Sequence, residues 1–302
     1  MNSFQSVFKP GLFAGQTIVV TGGGSGIGRC TAHELASLGA NLALVGRKIE
    51  KLETVKAEIL QTCNVEISLH SCDIREEERV KETVSDILKA HGKIDHLINN
   101  AGGQFPSPLS AISAKGWETV VRNNLTGGFL MAREVFNQHM VRNLGKTDMS
   151  ITNIIADMWN GMPGMGHSGA ARAGMLNFSE TASLEWAPVR VNAVAPGFIA
   201  SSGMDTYPEP MKQTIMQLDK TIPLQRLGLE AEVSSVLTFL CSPAASFISG
   251  SCIRVDGAAV NAKRVWPVVG NGKQNPAFNS FHLGGLPEVI QRRDAERAAK
   301  SK

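Results

Sequence analysis

Tyrosine is almost absent from this sequence. Of its 302 residues only Tyr207 is one, and aromatic residues together make up 6%. Phenolic acid–base chemistry can therefore come from one position at most. The five cysteines, Cys30, Cys63, Cys72, Cys241 and Cys252, form no CxxC pair and no metal-ligand spacing. That excludes a disulfide scaffold and a zinc-type site; they read as small buried thiols in a reducing compartment, and no metal is expected. No apolar run approaches the roughly 20 residues a membrane span needs. Residues 1–15 lack the basic-then-apolar layout of a signal peptide. The terminal Lys300-Ser301-Lys302 is not a peroxisomal address. An excess of one charge is missing too: 30 Lys plus Arg face 27 Asp plus Glu, for a net +3. Such a balance offers nothing to nucleic acid or to an acidic membrane surface. No internal repeat is visible. The expectation is a soluble cytoplasmic protein with a small-molecule partner.

What the chain does have is apolar material, 43% of its residues, arranged in alternation. Short β-rich runs are expected at 17–21, 42–45, 65–69, 94–98, 149–155, 189–194 and 252–255. Between them, helical spacing is expected at 27–38, 49–60, 76–91, 115–141 and 170–187. Seven strands alternating with helices predict an α/β fold: one Rossmann-type doubly wound parallel sheet covered on both faces. The domain would span residues 1–260. Residues 200–226, rich in Pro, Met, Ser and Gly, break the alternation and read as a loop over a site. Residues 261–302 read as an irregular extension ending in a short charged helix near 287–299.

The first strand leads into Thr21-Gly22-Gly23-Gly24-Ser25-Gly26-Ile27-Gly28. Placed between a strand and a helix, this is a dinucleotide-binding turn. Glycines let a pyrophosphate approach the main chain, and the free N–H groups of the helix start hold it. At the end of the second strand an acid would bind the ribose 2′-hydroxyl of NAD. Here stand Gly46, Arg47 and Lys48. Cations at that point favour a 2′-phosphate, so NADP(H) is the expected cofactor.

Taken together, the Thr21–Gly28 turn, Asp73, Asn99-Asn100-Ala101-Gly102, Asn124 and Pro196-Gly197 resemble the short-chain dehydrogenase/reductase family over roughly residues 15–257. The resemblance implies that Asp73 meets the adenine amino group with Ile74 beside it. It implies that Asn100, Ala101 and Gly102 line the cofactor ribose. Pro196, Gly197 and Ile199 would wall the nicotinamide, and Ser201 would hold its carboxamide.

At the catalytic end the pattern departs from the family's Asn, Ser and Tyr-x-x-x-Lys set. Asn124 is kept. Ser168-x-x-x-Arg172 occupies the Tyr-x-x-x-Lys position, and apolar Ile155 or Ala156 the serine position. A serine hydroxyl cannot hand over a proton at neutral pH as a phenol does, so reversible alcohol oxidation is disfavoured. Hydride transfer to an activated C=C asks less, because the thioester oxygen takes the charge as an enolate and needs only donors. Ser168 and Arg172, at i and i+4, face the same way on a helix. Arg172 would hold the nicotinamide ribose, and Ser168, with Asn124, the thioester oxygen. The stretches Gly103-Gln104-Phe105, Asn124-Leu125-Thr126-Gly127 and His167 to Gly174 are similar to peroxisomal-type trans-2-enoyl-CoA reductases and to 2,4-dienoyl-CoA reductases.

The expected activity is therefore NADPH-dependent reduction of trans-2-enoyl-CoA thioesters. Asp157 is the candidate proton donor to Cα, or else a solvated loop carboxylate. His167 is a proton relay or a packed side chain. Tyr207 is a lid wall or an acid. Met158, Trp159, Met162, Met165 and Met204 suit an adaptable acyl pocket or core packing. Arg292, Arg293, Arg297, Lys300 and Lys302 would meet CoA phosphates or simply be solvated. The resemblance also implies a homotetramer built on the helices near 115–141 and 168–187. Two rivals remain: a dehydrogenase of hydroxyacyl-CoAs or branched terpenoid alcohols, and a catalytically silent NADP-binding sensor or scaffold.

Overall fold

A computed structural model describes residues 3–262 and 274–300. The strands of the main sheet are β1 (Thr17–Thr21), β2 (Asn41–Gly46), β3 (Ile67–Ser71), β4 (His96–Asn99), β5 (Ser150–Ile154), β6 (Arg190–Pro196) and β9 (Cys252–Val255). They pair in the order β3-β2-β1-β4-β5-β6-β9, all parallel. The seven expected strands are all present. A two-residue pair, β7 (Ile199–Ala200) with β8 (Gly228–Leu229), forms a separate ribbon.

Alternation along the strands sorts side chains onto two cores. Ile18, Val20, Leu42 and Leu44 face one side and pack under α1 (Gly26–Ser37), α2 (Ile49–Leu60) and α8 (Glu230–Cys241). Val19, Ala43 and Val45 face the other, under α3 (Glu77–His91), α5 (Gly127–Gln138) and α6 (Gly166–Glu185). The expected helix over 115–141 is two helices, α4 (Ala114–Val121) and α5, joined by a π-helical turn at Arg122–Thr126. The order reverses between β1 and β4. In a doubly wound sheet the crevice beyond the carboxyl ends of such a strand pair is the ligand site.

Residues 200–226 are not a bare loop. They carry 3-10 turns at Ser202–Thr206 and Leu218–Thr221 and the short helix α7 (Glu209–Ile215). The terminal helix α9 (Glu288–Lys300) packs back on them, with Val289 and Ile290 buried in a satellite core. No helix among the described residues is long and apolar enough to cross a membrane.

Candidate active site

The crevice is closed at its base by a knot of side-chain to main-chain hydrogen bonds. Thr21 Oγ1, at the end of β1, accepts from the N–H groups of Asn100 and Ala101 at the end of β4, at 3.0 and 2.9 Å. Asn100 Nδ2 donates back to Thr21 O at 2.9 Å and Gly22 O at 3.3 Å. Gly22 has φ +68°, and a Cβ there would lie 2.7 Å from Asn100 Nδ2. A Cβ at Gly28 would meet Gly22 O at 2.4 Å. These two positions accept only glycine, and that lets α1 start hard against the turn. Ser25 provides no side-chain cap, so the first N–H groups of α1 stay open. A cleft of about 400 Å³ runs past Gly24, Ser25, Gly26, Arg29 and Lys51. An uncapped helix start on a glycine turn suits a pyrophosphate.

Glu230, at the start of α8, lines the same cleft. Its Oε1 would be 3.8 Å from a Cβ at Gly26. Burial pushes its carboxyl up to about 7, with Arg29 acting the other way. Nothing local in the sequence marks this residue, because its neighbour across the cleft lies on α1.

Arg47 and Lys48 stand exposed at the end of β2. Neither forms an ion pair among the described residues. Asp73 follows β3 and is gripped by Arg75, with contacts of 2.9 and 3.1 Å from Nε and 2.5 Å from Nη2. That bond, reinforced by the nearby Arg47, holds its carboxyl below the ordinary range. Ile74 is buried against Gly127. Ile199 is buried in the core against Gly228 rather than open to the crevice. Gly197 packs so close that a Cβ would sit 2.8 Å from Asp256 Cα. Ser201 follows the β7 end.

The first turn of α6 presents His167 and Ser168, both fully buried, and one turn on Arg172. Arg172 Nη1 donates to Ile154 O at 2.6 Å, while Nε is buried without a partner. No carboxylate pairs with it among the described residues, and burial alone pushes the guanidinium down to about 10. Its Nη2 would be 2.6 Å from a Cβ at Gly102. A partly desolvated guanidinium without a carboxylate partner beside Gly102 fits neutral hydroxyls or an anionic group.

Asn124 sits in the π-helical turn, the kind of irregularity that re-aims a side chain at functional sites. Its Nδ2 donates to Gly103 O (2.6 Å) and Val120 O (2.9 Å), and its Oδ1 accepts from Gly103 N (3.1 Å). Both amide protons are spent on the protein. Asn124 therefore clamps the loop after β4 instead of presenting a donor to a substrate. Ser168 Oγ donates to Gln104 Oε1 at 2.5 Å. His167 Nδ1 accepts from Ser168 N, its Nε2 is buried and unpartnered, and its ring meets Phe105 edge-on at 4.6 Å. Asp157 is half-buried; burial and the Asp256 carboxylate raise its pKa, and Arg254 opposes them.

Other candidates fall elsewhere. Tyr207 and Met204 pack in the satellite core under α9. Met158 and Trp159 pack beside Ile155 and Met175. Arg292 pairs with Glu209 (2.6 Å), Arg297 with Asp219 (2.5 Å), and Arg293 with Asp294 (2.8 Å). Those three cations are engaged with carboxylates and are not poised for CoA phosphates. Lys302 lies outside the described residues.

Comparison with known proteins follows the same lines. A family described as Enoyl-(Acyl carrier protein) reductase matches residues 22–258. The chain is 33% identical over 246 residues to a probable 2,4-dienoyl-CoA reductase of Bacillus subtilis, covering 80% of this chain and 95% of that one. It is also 33% identical to a 3-oxoacyl-(acyl-carrier-protein) reductase of Aquifex aeolicus, over 80% and 96% of the two chains. Among solved structures, a citronellol catabolism dehydrogenase of Pseudomonas aeruginosa superposes with a TM-score of 0.75 at 59% identity, covering 85% of this chain and all of that one.

Proposed function

The chain belongs to the short-chain dehydrogenase/reductase family of oxidoreductases, and from that premise we propose that it reduces the C=C bond of trans-2-enoyl-CoA thioesters with NADPH. One observation carries the reading. Where a proton-transferring tyrosine would stand on α6 there is Ser168, sealed from solvent, with Arg172 unpaired four residues on. A hydroxyl there can orient or stabilise, but it cannot act as a phenol does. Conjugate reduction needs that kind of help: donors for an oxyanion rather than a strong acid.

The bound nicotinamide supplies the hydride. The chain's residues do the rest. The open N–H groups at the start of α1 hold the pyrophosphate, and Arg47 with Lys48 select the 2′-phosphate. Asn100 to Gly102 line the ribose, and Arg172 binds its hydroxyls. Pro196 and Gly197 back the ring, with Ser201 at its carboxamide. Asn124 keeps the 103 loop in place. Asp157, a carboxyl whose protonated form is favoured by burial, is the candidate source of the proton for Cα. The reading includes a homotetramer acting in the cytoplasm on acyl-CoA.

A second reading is favoured by the neighbour at 59% identity, whose name is a citronellol catabolism dehydrogenase. In it the substrate is a branched terpenoid alcohol. The two separate in one experiment. Purified protein is given NADPH with trans-2-enoyl-CoAs, and NADP with citronellol. Thioester-dependent NADPH oxidation supports the first reading; alcohol-dependent NADP reduction supports the second.

A further inference from the structure

The segment after the last strand has no place in the glycine-turn pattern, yet it reaches the dinucleotide cleft. Leu283, Gly284 and Gly285 line that cleft together with Gly24, Ser25 and Gly26. They lie between two anchors. On one side Ser280 O accepts from the Gln5 N–H at 3.0 Å, and Phe281, 3% exposed, is buried with Phe4, Cys30 of α1 and Ala231 of α8. On the other, Asp205 caps α9, whose Val289 and Ile290 are buried. The chain between them therefore links the outer side of α1 to the 200–226 segment. Gly284 N–H donates to Phe281 O at 2.9 Å, and a Cβ at Gly284 would come within 3.0 Å of that oxygen. A Cβ at Gly285 would meet nothing within 4 Å, and the Gly285 N–H makes no hydrogen bond among the described residues. At these two positions the wall is bare main chain, which an anion can approach closely.

Arg29 joins this segment to the cleft. It lines the cleft, its guanidinium lies 5.3 Å from the centroid of the Phe281 ring, and Glu58 holds it by two 2.8 Å bonds. A cation shared between an aromatic ring and an anion site couples the two, so that what steadies one steadies the other.

We propose that residues 280–285 are a strap that completes the dinucleotide site: they form part of the wall of the pyrophosphate cleft and seat on α1 through Phe281 and Arg29, so that dinucleotide binding and strap docking reinforce each other. Release of the dinucleotide then waits on the strap lifting from α1. This rests on the nicotinamide dinucleotide of the family and not on which substrate bond is reduced.

The test uses the full-length protein without substrate, with NADPH and NADH binding followed by nicotinamide fluorescence. Gly285 has open space around it, so a charge can be added there without disturbing the fold. Gly285→Glu should weaken binding of the better dinucleotide about threefold to tenfold, and Gly285→Lys should tighten it by a similar factor. Both effects should shrink in 1 M salt. Phe281→Ala should speed dinucleotide release roughly tenfold; should that variant not fold, the Gly285 pair decides. Bound dinucleotide should also slow hydrogen exchange over residues 281–286 in the wild type. Equal affinity in the two Gly285 variants, or exchange over 281–286 that dinucleotide leaves unchanged, overturns the strap while leaving the oxidoreductase reading intact. A wild type that binds neither dinucleotide overturns the cofactor site and the strap with it.

Discussion

Glu230 sets a carboxylate beside a cleft built for an anion. Burial pushes it up to about 7, so near neutrality it is shared between its two forms. The ionised form repels a pyrophosphate, and the Arg29 charge offsets it; Arg29 is itself tied to Glu58 by two 2.8 Å bonds. The sign follows. As pH rises from about 6 to 8 across a pKa near 7, Glu230 loses its proton and dinucleotide affinity falls. NADPH titrations across that range should show the loss in the wild type. Glu230→Gln should bind more tightly at pH 8 and flatten this part of the profile. Equal slopes in both proteins would remove Glu230 from the linkage.

Among elements, the terminal helix and the 200–226 segment act as a pair. Asp205 accepts from the N–H groups of Glu288 and Val289, both at 3.0 Å, and so caps the start of α9. Asp219 is buried and receives Arg297 through two bonds, 2.5 and 3.1 Å, with Arg293 at 3.5 Å. Burial opposes its ionisation, and the Arg297 and Arg293 charges overcome that and hold its pKa down. Asp219→Asn should therefore loosen both segments together, at a local cost of about 1–3 kcal/mol. Hydrogen exchange should rise in 200–226 and in 288–300 while the sheet is unaffected. Exchange that rises in one segment alone would mean the two do not move as a unit.

Elements differ in how far their residues declare them. All seven strands of the main sheet are legible, because a sheet buried on both faces leaves continuous apolar runs. Helix α8 is not. Ala231, Val233, Leu237, Leu240 and Cys241 are buried, with Val236 and Phe239 partly so, and an apolar run of that kind lacks the one-sided stripe that announces a helix. The break between α4 and α5 is invisible because a π turn keeps helical composition. Within the site, the glycine turn, Asp73 and Asn100–Gly102 declare themselves by spacing. Gln104 and Glu230 do not: each meets its partner, Ser168 and the glycine turn respectively, only across a long stretch of chain. The cations of the tail read as solvated or phosphate-binding because Glu209 and Asp219 come near only after folding.

At the scale of the whole molecule, large apolar side chains stay exposed in two places. Leu184 at the end of α6 is 81% exposed, and Phe247 after α8 is fully exposed. On the α5–α6 face Phe136 stacks on Trp186, and Phe178 meets Phe129 and Trp186 edge-on. Residues of this kind are commonly covered by another subunit. The homotetramer reading predicts that light scattering gives four times the 32.3 kDa chain mass, and that Leu184→Asp with Phe247→Asp lowers it. A monomeric wild type would contradict the homotetramer.

The bond that is reduced decides the function. The most direct measurement follows NADPH absorbance with the purified protein and trans-2-enoyl-CoAs of short, medium and long acyl chain, with NADH, 2,4-dienoyl-CoA and citronellol with NADP in parallel. Saturable oxidation of NADPH that depends on the enoyl thioester, with NADH a much poorer donor, is the predicted result. Tight NADPH binding without thioester turnover, or oxidation of citronellol in its place, would contradict it.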